Sequence, residues 1–392
     1  MRVSRADRSR VADWWFTVDH VLLGAILAIV GAGLVLSLAA SPAVAIKKGL
    51  STFYFVERHV IFSAAGVVIM LAVSLFSPLA VRRFALALFA AAIAGMIAVH
   101  FVGSDIQGAR RWLSLFGYSL QPSEFAKPAF VVLSAWLFAE SQRRNEMPAV
   151  PIAVFLVLLM AGLLLIEPDV GQMLLIVLVW GALYFLSGQP LVGAFIVGIC
   201  GALGSVFAYT TFNHVRLRFD RFIAPTPGDN SQVDRAIQSF SEGGFLGRGP
   251  GEGTIKTVLP DAHTDFIFAV VAEEYGIVAC LALLGLFAFV VMRALKTAAR
   301  EPDRATRLSI QGLALLFGLQ ALINMGVNVG LLPAKGITLP FISAGGSSMI
   351  AVSITLGMLL ALTRHRPDPT RLKKPRLGPT IADLQPMGPI RK

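Results

Sequence analysis

The segment LPDAHTDFIFAVVAEEYG (259–276) sets His263 two residues before Asp265, at the mouth of a long apolar run. A carboxylate at such a boundary can take a proton from a hydroxyl nucleophile, or it can simply cap a helix. Pro260 breaks the chain just ahead, and either Thr264 or Asp265 suits the N-cap position. Burial raises the pKa of such a carboxyl and a helix N-terminus lowers it, so the sequence leaves the balance open. Glu273 and Glu274 lie deeper in the same run, better placed to pair with another helix than to touch a substrate. A second segment, GARRWL (108–113), offers Arg110 and Arg111, whose guanidinium forks match phosphate oxygens. Trp112 beside them suits a membrane-interface anchor. QPSEFAK (121–127) spaces Glu124 and Lys127 three residues apart on one helical face, as a plain intramembrane ion pair or as part of a substrate site. A third cluster, NMGVNVGLLPAKGITLPFISAGGSS (324–348), has two asparagines, Lys335 in a proline-bounded turn, and a run of small residues that can serve only close helix packing. The turn EPD adds Glu167 and Asp169.

The elements that must hold these residues are membrane helices. Hydrophobic residues make up 56% of the 392, charged residues only 15%, and mean hydropathy is +0.72. A water-soluble domain is nearer 45–50% apolar and about 25% charged, so a soluble enzyme and a disordered chain are both excluded. Two cysteines exclude a disulfide scaffold. A span needs roughly 20 mainly apolar residues. The pattern predicts an all-α polytopic protein of about ten spans, near 20–45, 59–78, 84–103, 121–139, 148–166, 169–187, 190–212, 264–292, 308–332 and 338–363. The first is too long for a signal peptide. With the N-terminus inside, 21 of the 34 Lys and Arg fall on the inner side and 12 on the outer, which puts both termini in the cytoplasm. The layout is a basic N-terminus (1–18), a membrane domain (19–363) and a basic, disordered tail (364–392). A large outer loop, 213–263, joins helices 7 and 8. The tail reads as a topology signal and anionic-lipid contact rather than a nucleic-acid site.

Under that orientation every polar cluster lies on the outer side. Cations, a carboxylate and a broad apolar surround suit an amphiphile with a phosphorylated head and a lipid tail. There is no P-loop, no GxSxG and no His/Cys metal-ligand spacing; a divalent cation is left open.

GARRWL with QPSEFAK, the long outer loop, AHTDFIFAVVAEEYG and GVNVGLLPAKGITLPFISAGGSS together resemble the SEDS family (shape, elongation, division and sporulation proteins), from about Asp19 to Leu362. The Lys-Gly of PAKG and the preceding GVNVG are similar to the division branch rather than the elongation branch. Asp261 stands where Glu is usual, EPDVGQ where QPDLGT is common, and Ala344 where Tyr is usual, which reshapes the cavity there. The resemblance implies a ten-span SEDS fold and a peptidoglycan glycosyltransferase polymerising lipid II at the outer face of the inner membrane. It further implies a class B penicillin-binding protein (the septal transpeptidase) and other divisome membrane proteins as partners, and enrichment at the division septum. By the same resemblance Asp265 is the catalytic carboxylate, with Arg110, Arg111, Lys127 and Lys335 toward the pyrophosphate, Glu124 orienting Lys127, and His263 also at the substrate. A lipid II flippase and a non-catalytic scaffold are the alternatives; sites of transporters lie near the midplane, whereas these clusters gather at one face.

Overall fold

A computed structural model describes residues 9–106, 109–115, 117–143, 146–211, 216, 220, 231–333 and 336–365. In chain order the helices are α1 (Arg10–Thr17), α2 (His20–Lys47), α3 (Tyr54–Ser74) and α4 (Pro78–Val102), then α5 (Pro122–Glu140), α6 (Ala149–Ile166), α7 (Val170–Leu186) and α8 (Leu191–Thr211). Within the outer loop lies α9 (Ser231–Gly243), and after it come α10 (Ile267–Ala298), α11 (Arg304–Asn328) and α12 (Gly346–Leu362).

The expected count of about ten spans is corrected. Among the described residues six helices are long and apolar enough to cross a membrane: α2, α3, α4, α6, α10 and α11. α7 and α12 have 17 residues each, or about 25 Å at 1.5 Å per residue, short of a core of about 30 Å. The apolar run at 338–363 merged α12 with the non-helical stretch before it. α5 and α8 also stand outside the six; in α5 the apolar run is interrupted by Pro122, Glu124, Lys127 and Pro128.

Burial sorts the helices into two classes. α4 buries Val81, Ala85, Phe89, Ala92, Met96 and Val99, one stripe at helical spacing, and α6 likewise buries Ala149, Ala153, Val157, Met160 and Leu164. Such helices turn their remaining faces outward. α5 is buried on all sides, as is α12 from Ala351 to Leu362. The helix carrying Glu124 and Lys127 is therefore a central one.

α10 changes class part-way. Every residue from Ile267 to Glu274 is buried, and beyond the break only one stripe is: Cys280, Leu283, Phe287, Val290, Ala294 and Ala298. The change falls at Gly276, whose φ of 77° and ψ of 179° interrupt the helix. Only glycine adopts that conformation readily, and a Cβ there would collide with the Phe245 carbonyl. The turn after α9 fills the gap. Arg248 and Gly249 donate to the carbonyls of Glu273 and Glu274 (2.9 and 3.0 Å), while Ile277 and Val278 donate to those of Gly244 and Phe245 (3.0 and 3.3 Å).

Glu273 and Glu274 bind this loop rather than another helix. Glu273 accepts from the backbone N–H groups of Thr254 (2.5 Å), Ile255 (2.7 Å) and Lys256 (3.2 Å). Glu274 accepts from Gly251 N (3.0 Å) and pairs with Lys256. Part of the outer loop is thus latched onto the upper half of α10.

At the other end of α10, Arg293 holds Asp19, the N-cap of α2, by two hydrogen bonds of 2.8 and 3.1 Å. Trp14 of α1 donates to Ser74 at the end of α3 (2.8 Å), and Arg364 reaches Asp13, Thr17 and the Leu75 carbonyl. The first and last described segments therefore meet at one end of the bundle.

One feature is absent from the helix-only expectation. ARRWL (109–113) lies in a small antiparallel sheet of β1 (Ser104–Ile106), β2 (Ala109–Leu115) and β3 (Tyr118–Leu120), in that order, with Asp105 opposite Arg110 and Leu113 opposite Leu120.

Candidate active site

The turn that carries Asp265 is held by its backbone. Ala344 N donates to the His263 carbonyl (2.9 Å), Ser343 Oγ to the Thr264 carbonyl (2.6 Å), and the side-chain amides of Asn324 and Asn328 to the Asp265 carbonyl (2.9 Å each). Asn328 also accepts from Ala269 N (3.0 Å), and Asn324 donates to the Ile337 carbonyl (2.7 Å). α11 thereby fixes the start of α10 and the 337–344 stretch together. With three successive carbonyls occupied, the turn has little freedom, and the Asp265 side chain is left for other work.

The capping role is not taken up. Phe266 occupies the N-cap of α10 without a side-chain cap, and in the first turn the Ala269 N–H goes to Asn328 rather than to Asp265. The Asp265 carboxyl lies against Gly336, with Oδ2 3.7 Å from where a Cβ would stand on that glycine. Burial chiefly, then the negative charges of Asp261 and Asp169, push its pKa up to about 7. The open balance between burial and helix terminus is thus decided by burial. Such a carboxyl is divided between acid and base near neutrality, which suits proton transfer.

Beside it runs a buried polar network. Arg111 donates to the carbonyls of Glu167 (2.7 Å) and Pro168 (2.5 Å) and approaches Asp169 at 3.6 Å. Asp169 caps α7 through Gln172 N (3.3 Å) and accepts from Gln121 (3.2 Å). Gln172 donates to Glu124 (2.6 Å), which pairs with Lys127 at 3.0 Å. Lys127 donates in turn to Gln172 (2.8 Å) and Gln320 (3.4 Å), and Gln320 donates to the Thr338 carbonyl (3.2 Å). The three protons of the Lys127 ammonium are all taken by protein acceptors. Its buried charge is offset by Glu124, so the pair orders α5, α7 and α11. Burial and then Asp169 raise the pKa of Glu167 to about 8, while Arg111 opposes them; neither carboxyl oxygen of Glu167 has a hydrogen-bond partner. Asp169 is likewise pushed up, by burial first.

The two arginines are separated. Alternate side chains of a strand point to opposite faces, and Arg110 is exposed, reaching the His100 carbonyl at 3.5 Å, while Arg111 turns to the 167–169 turn. Lys335 lies outside the described residues. His263 is buried with its ring 4.5 Å from that of Phe55, and burial followed by the charge of Lys48 lowers its pKa to about 4. Among the described residues no three His, Cys, Asp or Glu converge to hold a metal ion.

The profile of the cell cycle proteins FtsW, RodA and SpoVE matches residues 20–368. The chain belongs to this family. It is 47% identical over 369 residues to a probable peptidoglycan glycosyltransferase FtsW of Caulobacter vibrioides, covering 93% of this chain and 94% of that one. It is 35% identical to the namesake of Trichlorobacter lovleyi, covering 88% and 93%. Among solved structures it resembles a chain from a peptidoglycan synthase complex described as coordinating polymerization and crosslinking, with a TM-score of 0.74 at 28% identity over 88% of this chain and 97% of that one. The rod shape determining protein RodA of Thermus thermophilus follows with a TM-score of 0.63 at 28% identity, covering 89% and 97%. The SEDS resemblance read from the motifs therefore stands, as does an all-α fold with several membrane-spanning helices.

Sequence reasoning missed Gln172 and Gln320 as partners of the Glu124–Lys127 pair. The signal was present for Gln172, three residues beyond Asp169 at the start of an apolar helix, the spacing of a capping box. Gln320 sits inside an otherwise apolar stretch, where an amide needs a partner.

Proposed function

We propose that this chain, a peptidoglycan glycosyltransferase, polymerises lipid II with Asp265 as general base. The carboxylate takes the proton from the 4-hydroxyl of the acceptor sugar as that oxygen attacks the anomeric carbon, and the pyrophosphate-lipid departs. The supporting observation is a carboxyl on a backbone fixed by two neighbouring segments, α11 and the 343–344 stretch, free of capping duty, with a pKa of about 7. Arg111 and Lys335 stabilise charge developing on the pyrophosphate, whereas Arg110, turned to the opposite face of its strand, does not join them. Lys127 and Glu124 act from behind, keeping α5 and α7 in register. His263 contributes from the neighbouring cavity rather than at the reacting atoms.

The chain is a multi-pass protein of the inner membrane. The reading continues with both termini in the cytoplasm, supported by the contacts of Arg364 with Asp13 and Thr17 and by the inner excess of Lys and Arg. Residues 19–363 form the membrane domain between two basic ends. The partners are a class B penicillin-binding protein and other divisome membrane proteins, with enrichment at the septum. Support for the division role comes from GVNVGLLPAKG and from relatives that bear the name FtsW.

The test is lipid II polymerisation by purified protein reconstituted with its class B partner, wild type against Asp265→Asn. Loss of about 10²–10⁴-fold in rate by a folded, partner-bound variant is the expected result. Equal polymer from both would remove Asp265 from the chemistry.

A further inference from the structure

A cavity of about 230 Å³ opens between α3, the β2–β3 hairpin and the 344–346 stretch, and Asp265 does not line it. Ligand sites for drug-sized molecules run about 300–1,000 Å³, so this one suits a single ring-sized group. Four aromatic residues wall it: Phe55, Phe62, Trp112 and Tyr118. Phe62 and Tyr118 meet edge to face at 5.7 Å.

The buried polar groups of the lining are two histidines, with Arg58, Tyr118 and Ser119 nearer the surface. His59 is 2% exposed and neither ring nitrogen makes a hydrogen bond of regular geometry; His263 is 5% exposed and its Nδ1 has no partner. Buried polar atoms are nearly always satisfied; one His59 nitrogen faces the Phe341 carbonyl, which leaves its other ring nitrogen and Nδ1 of His263 open to a ligand in the cavity. The cation at the site, Arg58, is already engaged. It donates to the Tyr54 hydroxyl (3.0 Å) and sits over the Tyr54 and Tyr118 rings, 5.5 Å from each. Its remaining guanidinium N–H groups can donate to a hydroxyl or carbonyl oxygen of a ligand. A neutral, hydroxylated ring with apolar C–H faces matches both the aromatic walls and the imidazoles.

Ala344 is what leaves the space open. It lines the cavity, and its backbone N–H holds the His263 carbonyl at 2.9 Å. The cavity is therefore tied to the Asp265 turn, two residues on.

We propose that this cavity is a subsite for one N-acetylhexosamine ring of the lipid-linked substrate or the growing strand, walled by aromatic residues and hydrogen-bonded by His59 and His263. The assignment rests on the glycosyltransferase reading and deepens it. Trp112 then serves the sugar rather than the membrane interface.

The test fills the cavity from two sides, by Ala344→Tyr and, from the exposed rim, Ser119→Phe, in the full chain bound to its class B partner. Each variant is first shown to melt with a single transition and to retain the partner. The concentration of lipid II giving half-maximal rate should rise at least tenfold while kcat stays within about threefold. Saturation-transfer NMR with chitobiose as probe should show transfer to the acetamido methyl protons in wild type and lose it in both variants. An unchanged KM together with unchanged saturation transfer would overturn the subsite. The outcome for Asp265→Asn is separate. A dead Asp265→Asn with kinetically normal cavity variants removes the subsite alone, whereas an active Asp265→Asn removes the reading on which it rests.

Discussion

Asp261→Asn isolates the electrostatics of the turn that carries Asp265. Asp261 is exposed and takes a positive φ of 55°, a conformation Asn also tolerates. Its backbone carbonyl, which accepts from Thr264 N (3.0 Å) and Phe266 N (3.2 Å), is untouched by the change. Only a charge is removed. Asp265 stands about three pKa units above its ordinary 3.8, with burial the largest cause, Asp261 the second and Asp169 the third. All three act in the same direction, so the second can supply at most half: a fall of less than about 1.5 in the pKa of Asp265. Because the ionised form is the base, activity rises with pH through about 7 in wild type and falls about tenfold per unit below it. In Asp261→Asn the acidic limb of kcat/KM should move to lower pH, by less than about 1.5 units, with the plateau unchanged. The displacement should shrink as salt is raised from 50 to about 500 mM, since Asp261 faces solvent. The assay is lipid II polymerisation by the reconstituted complex from pH 5 to 9, with Asp265→Asn as control. A limb that stays in place in Asp261→Asn, or one that survives in Asp265→Asn, would refute the argument.

Two further outcomes are expected. Glu167 has a folded-state pKa of about 8 against an ordinary 4.5, so the fold binds its proton more tightly than the unfolded chain does. The stability this contributes is full below pH 4.5 and lost as pH rises through 8, a swing of roughly 5 kcal/mol; Glu167→Gln should therefore gain in melting temperature relative to wild type at pH 9 compared with pH 5, and parallel curves at both would count against it. Glu273→Gln weakens the acceptor for three backbone N–H groups at 254–256, each charge-assisted bond contributing about 1.5–3 kcal/mol. Limited proteolysis should then cut near residues 249–258 at least tenfold faster, and an unchanged rate would show the latch to be unimportant.

The chemistry-bearing residues were legible because ionisable groups are rare at membrane depth, so Asp265, Glu124 and Lys127 stand out against their surroundings. Their pairing at i and i+3 was equally plain. What the chain alone concealed were the long-range partners. Gln320 reaches Lys127 across 193 positions, and Asn324 and Asn328 hold a carbonyl some 60 residues away. Hydropathy also overcounted spans, because it scores apolar content and not helix length; the extended stretch before α12 is as apolar as a helix. Arg110 and Arg111 looked like one cationic patch until a strand, whose sequence ARRWLSL lacks a regular alternation of polar and apolar residues, turned them apart. The acids at 273 and 274 were expected to pair with another helix; their partner is instead a glycine-rich loop, which has no periodic pattern by which to be found.

The interruption at Gly276 has a bearing on how this architecture tolerates change. In a continuous helix, gaining or losing one residue turns everything beyond it by about 100°. Here an insertion among residues 277–298 would rotate only the lower rod, since the upper segment is pinned separately by Asn328, Glu273 and the 243–249 turn. Drift on the lipid-facing half, where membranes of different thickness and different neighbouring helices impose their own demands, is thereby insulated from the aim of Asp265. The break works as a universal joint does between two shafts: each half can be re-registered to its own surroundings while the other keeps its heading.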